Sequence, residues 1–146
     1  MPSQSPAAPR TTLELAKIFF EAKSRHDIDT TMSTFTETAN YIFPLPASGE
    51  QKDWFRYEGK KAITEYQAKT LRAFSQIRMF DQQFYESRDG ETVFVESKGD
   101  YIAEEGNKHY TNIYVFKFVG RNGLLEEVLE YANPVTYAKL VGLPIG

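Results

Sequence analysis

Apolar residues near the start of the chain recur at helical spacing. Leu13, Ala16 and Phe20 interleave with Leu15, Ile18, Phe19 and Ala22, and Lys17, Glu21, Lys23 and Arg25 fall on the polar side. The pattern predicts a helix over residues 11–25, with Thr11 or Thr12 as its cap and Glu14 in its first turn. Asp27 is placed to cap a second, short helix over 28–35, and Thr36-Glu37-Thr38 interrupts the pattern. Residues 39–43 read as a first strand closed by Pro44-Leu45-Pro46. A polar loop (47–53) and a short extended piece (54–57) follow, and Gly59 precedes a third helix over 60–74. That helix carries a stripe of Ala62, Ile63, Tyr66, Leu71, Ala73 and Phe74.

Beyond residue 77 the period changes from helical to alternating. Strands are predicted over 77–87, 92–103, 108–119 and 124–132, separated by Arg88-Asp89-Gly90, by the glycine-containing turn 104–107 and by Gly120-Arg121-Asn122-Gly123. Asn-Gly between two such runs signals a tight hairpin, because both residues tolerate positive φ. A short terminal helix over 135–141 would end at Gly142 and Pro144. The order is helix, helix, strand, helix, then four antiparallel strands. It lacks the βαβ alternation and the phosphate loop of a doubly wound fold. The fold class expected is α+β in a single domain. An antiparallel sheet must bury one face, and curling around the three N-terminal helices would do so while leaving a cavity between the layers.

Composition narrows the function. A chain of 146 residues is enough for one domain with a sizeable core, here residues 11–146 behind a polar N-terminal arm (1–10) expected to be disordered. The net charge of −3 with scattered basic residues offers no footprint for nucleic acid. No apolar run is long enough to suggest a membrane span, and residues 1–10 do not read as a signal peptide. The absence of cysteine removes thiol nucleophiles, disulfides and thiolate metal sites, and makes a cytoplasmic location the default expectation. Two isolated histidines, His26 and His109, suggest no metal site. No cofactor motif is present, and no serine stands in a nucleophile elbow. Aromatics make up 14%, with 11 Phe and 9 Tyr, a supply that suits either a rigid core or an aromatic pocket.

Strand alternation then selects candidates for chemistry. On 108–118 one face carries Tyr110, Asn112, Tyr114, Phe116 and Phe118. An amide among four rings needs hydrogen-bond partners, so Asn112 is either a structural bridge or a group that orients a ligand. On 124–132, Glu126, Val128 and Glu130 share one face, and Leu125, Glu127, Leu129 and Tyr131 share the other. Both faces are partly apolar, which suggests a cavity on one side and a partner subunit, in a homodimer, on the other. Glu130 is the leading carboxylate. At the rim of an aromatic pocket desolvation would raise its pKa toward the range of a general acid–base, whereas at an ordinary strand end it would simply be salt-bridged. Glu96, beside Phe94, is a second and weaker carboxylate. Tyr41, Trp54, Tyr57 and Tyr66 could line a pocket or could be plain core.

The run Tyr110-x-Asn112-x-Tyr114, the Asn122-Gly123 turn and Glu130-Tyr131-x-Asn133-Pro134 together resemble the C-terminal signature of SnoaL-like proteins. These belong to the cystatin-like α+β superfamily of nuclear transport factor 2 and ketosteroid isomerase. The segments 25–29, 35–39 and 57–63 also resemble it, so the likeness extends over most of the folded chain. It implies a cone-shaped fold, a curved antiparallel sheet wrapped around the helices. By similarity to phenazine-biosynthesis members it implies an acid–base role for Glu130. It also shows departures. Phe43 stands where ketosteroid isomerases place their base, Phe19 where they place an oxyanion-hole tyrosine, and residues 60–74 contain no histidine.

The expected function is a cofactor-independent isomerase, cyclase or lyase that acts on a small, largely apolar carbonyl compound of polyketide or terpenoid type. Glu130 would shuttle a proton and Asn112 and Tyr114 would orient the carbonyl, with Tyr110 in the wall. The rival reading is a non-catalytic ligand-binding or dimeric assembly module of the same fold.

Overall fold

The computed structural model describes residues 9–50 and 55–145. Trp54 and most of the expected N-terminal arm lie outside the described residues. Among these residues four α-helices and six strands follow in the order α1 (Thr12–Ser24), α2 (Ile28–Met32), β1 (Phe35–Phe43), β2 (Phe55–Glu58), α3 (Lys60–Ala73), β3 (Phe74–Glu86), β4 (Thr92–Ala103), β5 (His109–Arg121), β6 (Leu124–Ala132) and α4 (Pro134–Val141), with a single 3-10 turn (Glu105–Asn107) between β4 and β5. The strands form one sheet in the order β2-β1-β6-β5-β4-β3.

Local chemistry sets the boundaries. Thr11 caps α1 in a reciprocal capping box: its hydroxyl accepts from the Glu14 N–H at 3.1 Å, and the Glu14 carboxylate accepts from the Thr11 N–H. Asp27 caps α2 by accepting from the Thr30 N–H at 3.0 Å. That helix stops at Met32, earlier than its sequence predicts. The Ser33 and Thr34 hydroxyls donate back to the Thr30 and Thr31 carbonyls, which ends the turn, and Phe35 is drawn into the sheet core. The predicted break Thr36-Glu37-Thr38 is therefore part of β1. Its polarity is explained by Glu126 on β6, whose carboxylate accepts from both the Thr36 hydroxyl (2.7 Å) and the Thr38 hydroxyl (3.0 Å).

The four C-terminal strands form the expected antiparallel meander. Asn122 (φ 51°) and Gly123 (φ 81°) make the β5–β6 turn. Two features were not legible in advance. β1 pairs with β6 in parallel, so the sheet is mixed rather than purely antiparallel. α3 also runs into β3 with no loop, so Phe74, predicted as the end of a helical stripe, is instead the first strand residue. An irregularity between Phe80 and Gln83, where Asp81 has φ 50°, bends β3.

The buried face of the sheet packs on α1. Phe19 meets Phe35, Tyr41 and Phe118 with ring centroids 5.7–6.3 Å apart, and Phe20 sits edge-on to Phe116 at 4.9 Å. At one point only glycine permits the approach. A Cβ on Gly120 of β5 would lie 2.1 Å from the Thr12 hydroxyl, which itself donates to the Glu91 carbonyl. In β6 the alternation slips, because the β5–β6 register shifts between Val119 and Gly120. Leu125 and Val128 consequently share the inward face and join the core, while Leu129, on the other face, is also buried, so the clean even–odd division predicted for this strand does not hold. Among the described residues no helix is long and apolar enough to cross a membrane.

Candidate active site

Away from the packed end of α1, the layers separate. A cavity of about 430 Å³ opens between α1, α3, the sheet and α4. Its wall includes Phe43 and Leu45–Ser48 after β1, Phe55 and Tyr57 on β2, and Tyr66, Lys69 and Thr70 on α3. Phe74, Tyr101, Tyr110 and Tyr114 continue the wall along the sheet, and Pro134 and Tyr137 close it from α4. The aromatic walls brace one another. Tyr57 stacks on Tyr66 at 4.6 Å, Phe43 lies edge-on to Tyr66 at 5.4 Å, and Phe74 lies edge-on to Tyr101 at 5.0 Å. Close packing of this wall requires Gly99, where a Cβ would stand 2.6 Å from the Tyr114 ring.

Two charged side chains reach the interior of this apolar space. Glu130 points inward from β6, opposite Phe116 on β5, and lines the cavity. The Tyr41 hydroxyl, fully buried behind it, donates to Glu130 Oε1 at 2.6 Å. Glu130 is half-buried as a residue, and its open side is the cavity itself. Burial pushes its carboxyl above the usual range, and the nearby Lys23 ammonium and the Tyr41 hydrogen bond restrain that rise. The helical pattern predicts Lys23 on the polar side of α1. It is in fact 5% exposed and lines the cavity. The correction has a simple cause: Lys23 stands four residues beyond Phe19 and seven beyond Ala16, so it continues the buried stripe at the point where that stripe passes the cavity. Burial lowers its pKa, and Glu130 opposes the shift.

The tyrosines keep their protons. Burial raises the hydroxyls of Tyr41, Tyr66, Tyr101, Tyr110 and Tyr114, and the Glu130 charge adds to the rise in each case. They are hydrogen-bond donors at any working pH.

Asn112 stands differently from the orienting role expected of it, since it is absent from the cavity wall and its amide is fully committed. Nδ2 donates to the Tyr110 hydroxyl (2.6 Å) and the Asn133 carbonyl (3.1 Å), and Oδ1 accepts from the N–H groups of Asn133 (3.1 Å) and Ile113 (2.8 Å). It bridges β5 to the cap of α4, where the Asn133 side chain accepts from the Val135 and Thr136 N–H groups. Glu96 is likewise corrected. It lies on the exposed face of β4, opposite the cavity, because Val93, Val95 and Ser97 take the inward positions. Tyr57, Tyr66, Tyr110 and Tyr114 line the cavity, and Tyr41 meets Glu130 from behind. Sequence reasoning missed Lys23, Lys69, Phe74, Tyr101 and Tyr137. Only Lys23 left a readable signal, its place in the stripe. The two histidines sit elsewhere: His26 bonds to the Phe74 carbonyl (2.7 Å), and His109 pairs with Asp100 on the outer face.

A buried acid and a buried base held near each other cost desolvation energy, which their attraction only partly returns. Glu130, with its raised pKa, favours the fold most below pH 4.5, and this contribution is lost as pH rises through the raised value. Lys23, with its lowered pKa, favours the fold most above 10.5, and this is lost as pH falls through the lowered value. The double variant Lys23→Met/Glu130→Gln is therefore expected to be more stable than wild type at neutral pH by about 1–4 kcal/mol. Urea denaturation checks this, and a double variant less stable than wild type would contradict the reading.

Residues 16–128 match the family model of the SnoaL-like domain, a span that ends just before Glu130. A search of curated protein sequences gives no match. Among solved structures, a proposed isomerase from Bacillus subtilis is similar at 23% identity and TM-score 0.78, covering 92% of this chain and 94% of its own. A proposed polyketide cyclase from Pseudomonas putida is similar at 20% identity and TM-score 0.73, covering 88% and 96%. TerC, co-crystallised with polyporic acid, is similar at 17% identity and TM-score 0.74, covering 90% and 98%. At these identities the likeness shows a shared fold. With the family model matching more than half of its length, this chain belongs to the SnoaL-like family.

Proposed function

We propose that the protein is a cofactor-independent isomerase, cyclase or lyase that moves a proton on a small, largely apolar carbonyl compound, with Glu130 as the acid–base group. The observation that carries this reading is the Glu130 carboxyl, its pKa raised by burial, inside a cavity of about 430 Å³ walled by aromatic rings. A carboxylate in such a place is a stronger base than one in water, and the apolar wall excludes water from the carbanion that forms. The Tyr41 hydroxyl fixes its orientation. Asn112 serves as a positioning residue: it holds the Tyr110 hydroxyl and the Asn133 backbone, and so the cavity's α4 side. The polyketide-cyclase and isomerase neighbours support the reaction class.

The experiment is deuterium uptake from D₂O into a panel of aryl and cyclic ketones, followed by NMR. Uptake at the carbon next to the carbonyl, catalysed by wild type and lost in Glu130→Gln, supports the reading. Binding of the same ketones without exchange supports the rival one, a binding module, which the countercharge of Lys23 near Glu130 favours.

The outer sheet face carries exposed Phe94 (43%), Ile113 (66%) and Val115 (38%). The proposed homodimer would use it. Sedimentation at the monomer mass of 16.7 kDa at high concentration would contradict that proposal.

A further inference from the structure

The proposed proton transfer leaves one group unused. Lys23 is 5% exposed, borders the cavity, and among the described residues its amine makes no hydrogen bond or ion pair. Its Nζ stands 5.5 Å from the centre of the Phe19 ring, and the Glu130 charge acts on it. An amine that faces an apolar cavity with no hydrogen-bond partner among the described residues, its only countercharge being Glu130, is a costly arrangement that a ligand oxygen would relieve. The other lysine of the wall, Lys69, is exposed at the rim and has no such need.

We infer that Lys23 is the anchor for the substrate's oxygen: it binds the carbonyl and stabilises the enolate, so the site takes enolisable ketones and acidic phenols whose rings pack on the aromatic wall. This rests on the proposed role of Glu130 and names the other half of the same chemistry. Glu130 removes the proton from carbon. The C–H electron pair forms the C=C bond, and the carbonyl π pair moves onto oxygen. The Lys23 ammonium meets the new negative charge as Glu130 becomes neutral, so the net charge of the cavity is unchanged throughout. Return of the proton to a different carbon completes an isomerisation, with no oxidant or second substrate. The Tyr114 hydroxyl, which stays protonated, is a further polar group in the same wall.

Binding of 4-nitrophenol tests this without any turnover, because its anion absorbs at longer wavelength than its neutral form. Equilibrium dialysis and absorbance give affinity and bound form together. Wild type is expected to hold the anion, and to bind it more tightly than the neutral isostere 4-nitroanisole at the same pH. Lys23→Met is expected to lose roughly 10-fold or more in affinity for the anion, with 4-nitroanisole affinity unchanged. Lys98→Met, on the exposed face of β4 where Lys98 pairs with Asp81, is expected to change neither. Glu130→Gln is expected to bind the anion at least as tightly while losing deuterium exchange, which separates a failure of this inference from a failure of the proposed proton transfer. The inference is overturned if Lys23→Met binds the anion as well as wild type does, or if wild type prefers 4-nitroanisole. It is also overturned if borohydride with 2-naphthaldehyde fixes a covalent amine on Lys23, since that lysine would then be a nucleophile. The wild-type comparison of anion with isostere stands even if the variant does not fold.

Discussion

Glu130→Gln is expected to lower turnover of an exchanging ketone by roughly 10²–10⁴-fold, with KM little changed. The size follows from the group's role. Glutamine keeps the shape and can still accept from the Tyr41 hydroxyl, so the cavity and its bracing should survive. What disappears is the capacity to take up a proton. A residue that only shaped the cavity would move KM; a proton acceptor moves kcat and the exchange rate together. The acidic limb of the wild-type pH profile should also bend at a carboxyl titrating above its usual value of 4.5. Steady-state kinetics beside NMR exchange rates decide the matter, and full turnover in the glutamine variant would remove this mechanism.

Asn112→Ala carries the second large effect, on stability rather than chemistry. The substitution strands the Asn133 N–H and carbonyl, the Ile113 N–H and the Tyr110 hydroxyl at a site where Asn112 itself is 7% exposed. Some of these groups can turn to water and some cannot, which gives an expected loss of about 2–4 kcal/mol. The loss should be local first. Asn133 is the cap of α4, so amide exchange in Pro134–Val141 should accelerate before the sheet opens. Denaturation curves and hydrogen exchange read the two parts. If Asn112 instead oriented substrate, the alanine variant would keep its stability and lose only turnover, and that result would return it to the site.

Much of the fold could be read from spacing alone. The bounds of β4 and β6, the Asn122-Gly123 turn and the capping of α1 and α2 all depend on residues close in sequence. Periods of two and of 3.6 residues are properties of one segment, and no distant partner is needed to see them. The inward row Tyr110, Asn112, Tyr114, Phe116 and Phe118 was legible for the same reason.

Tertiary structure decided what depends on distant partners. Thr36-Glu37-Thr38 looks like a break until Glu126 arrives from the other end of the chain to accept its hydroxyls. The β1–β6 pairing joins segments that no short-range pattern connects. The site follows the same division. The sequence marked Glu130 as a carboxylate among rings, but its raised pKa needs the cavity around it and the Tyr41 hydroxyl behind it. The sequence also placed Lys23 among solvent-facing charges, since a lysine at the end of a helix is ordinarily solvated. Only the packing of α1 against the sheet turns that position inward and leaves its amine facing an apolar cavity. Periodicity determines which face of an element a residue occupies, whereas burial, electrostatic partners and empty space are properties of what the other elements bring to that face.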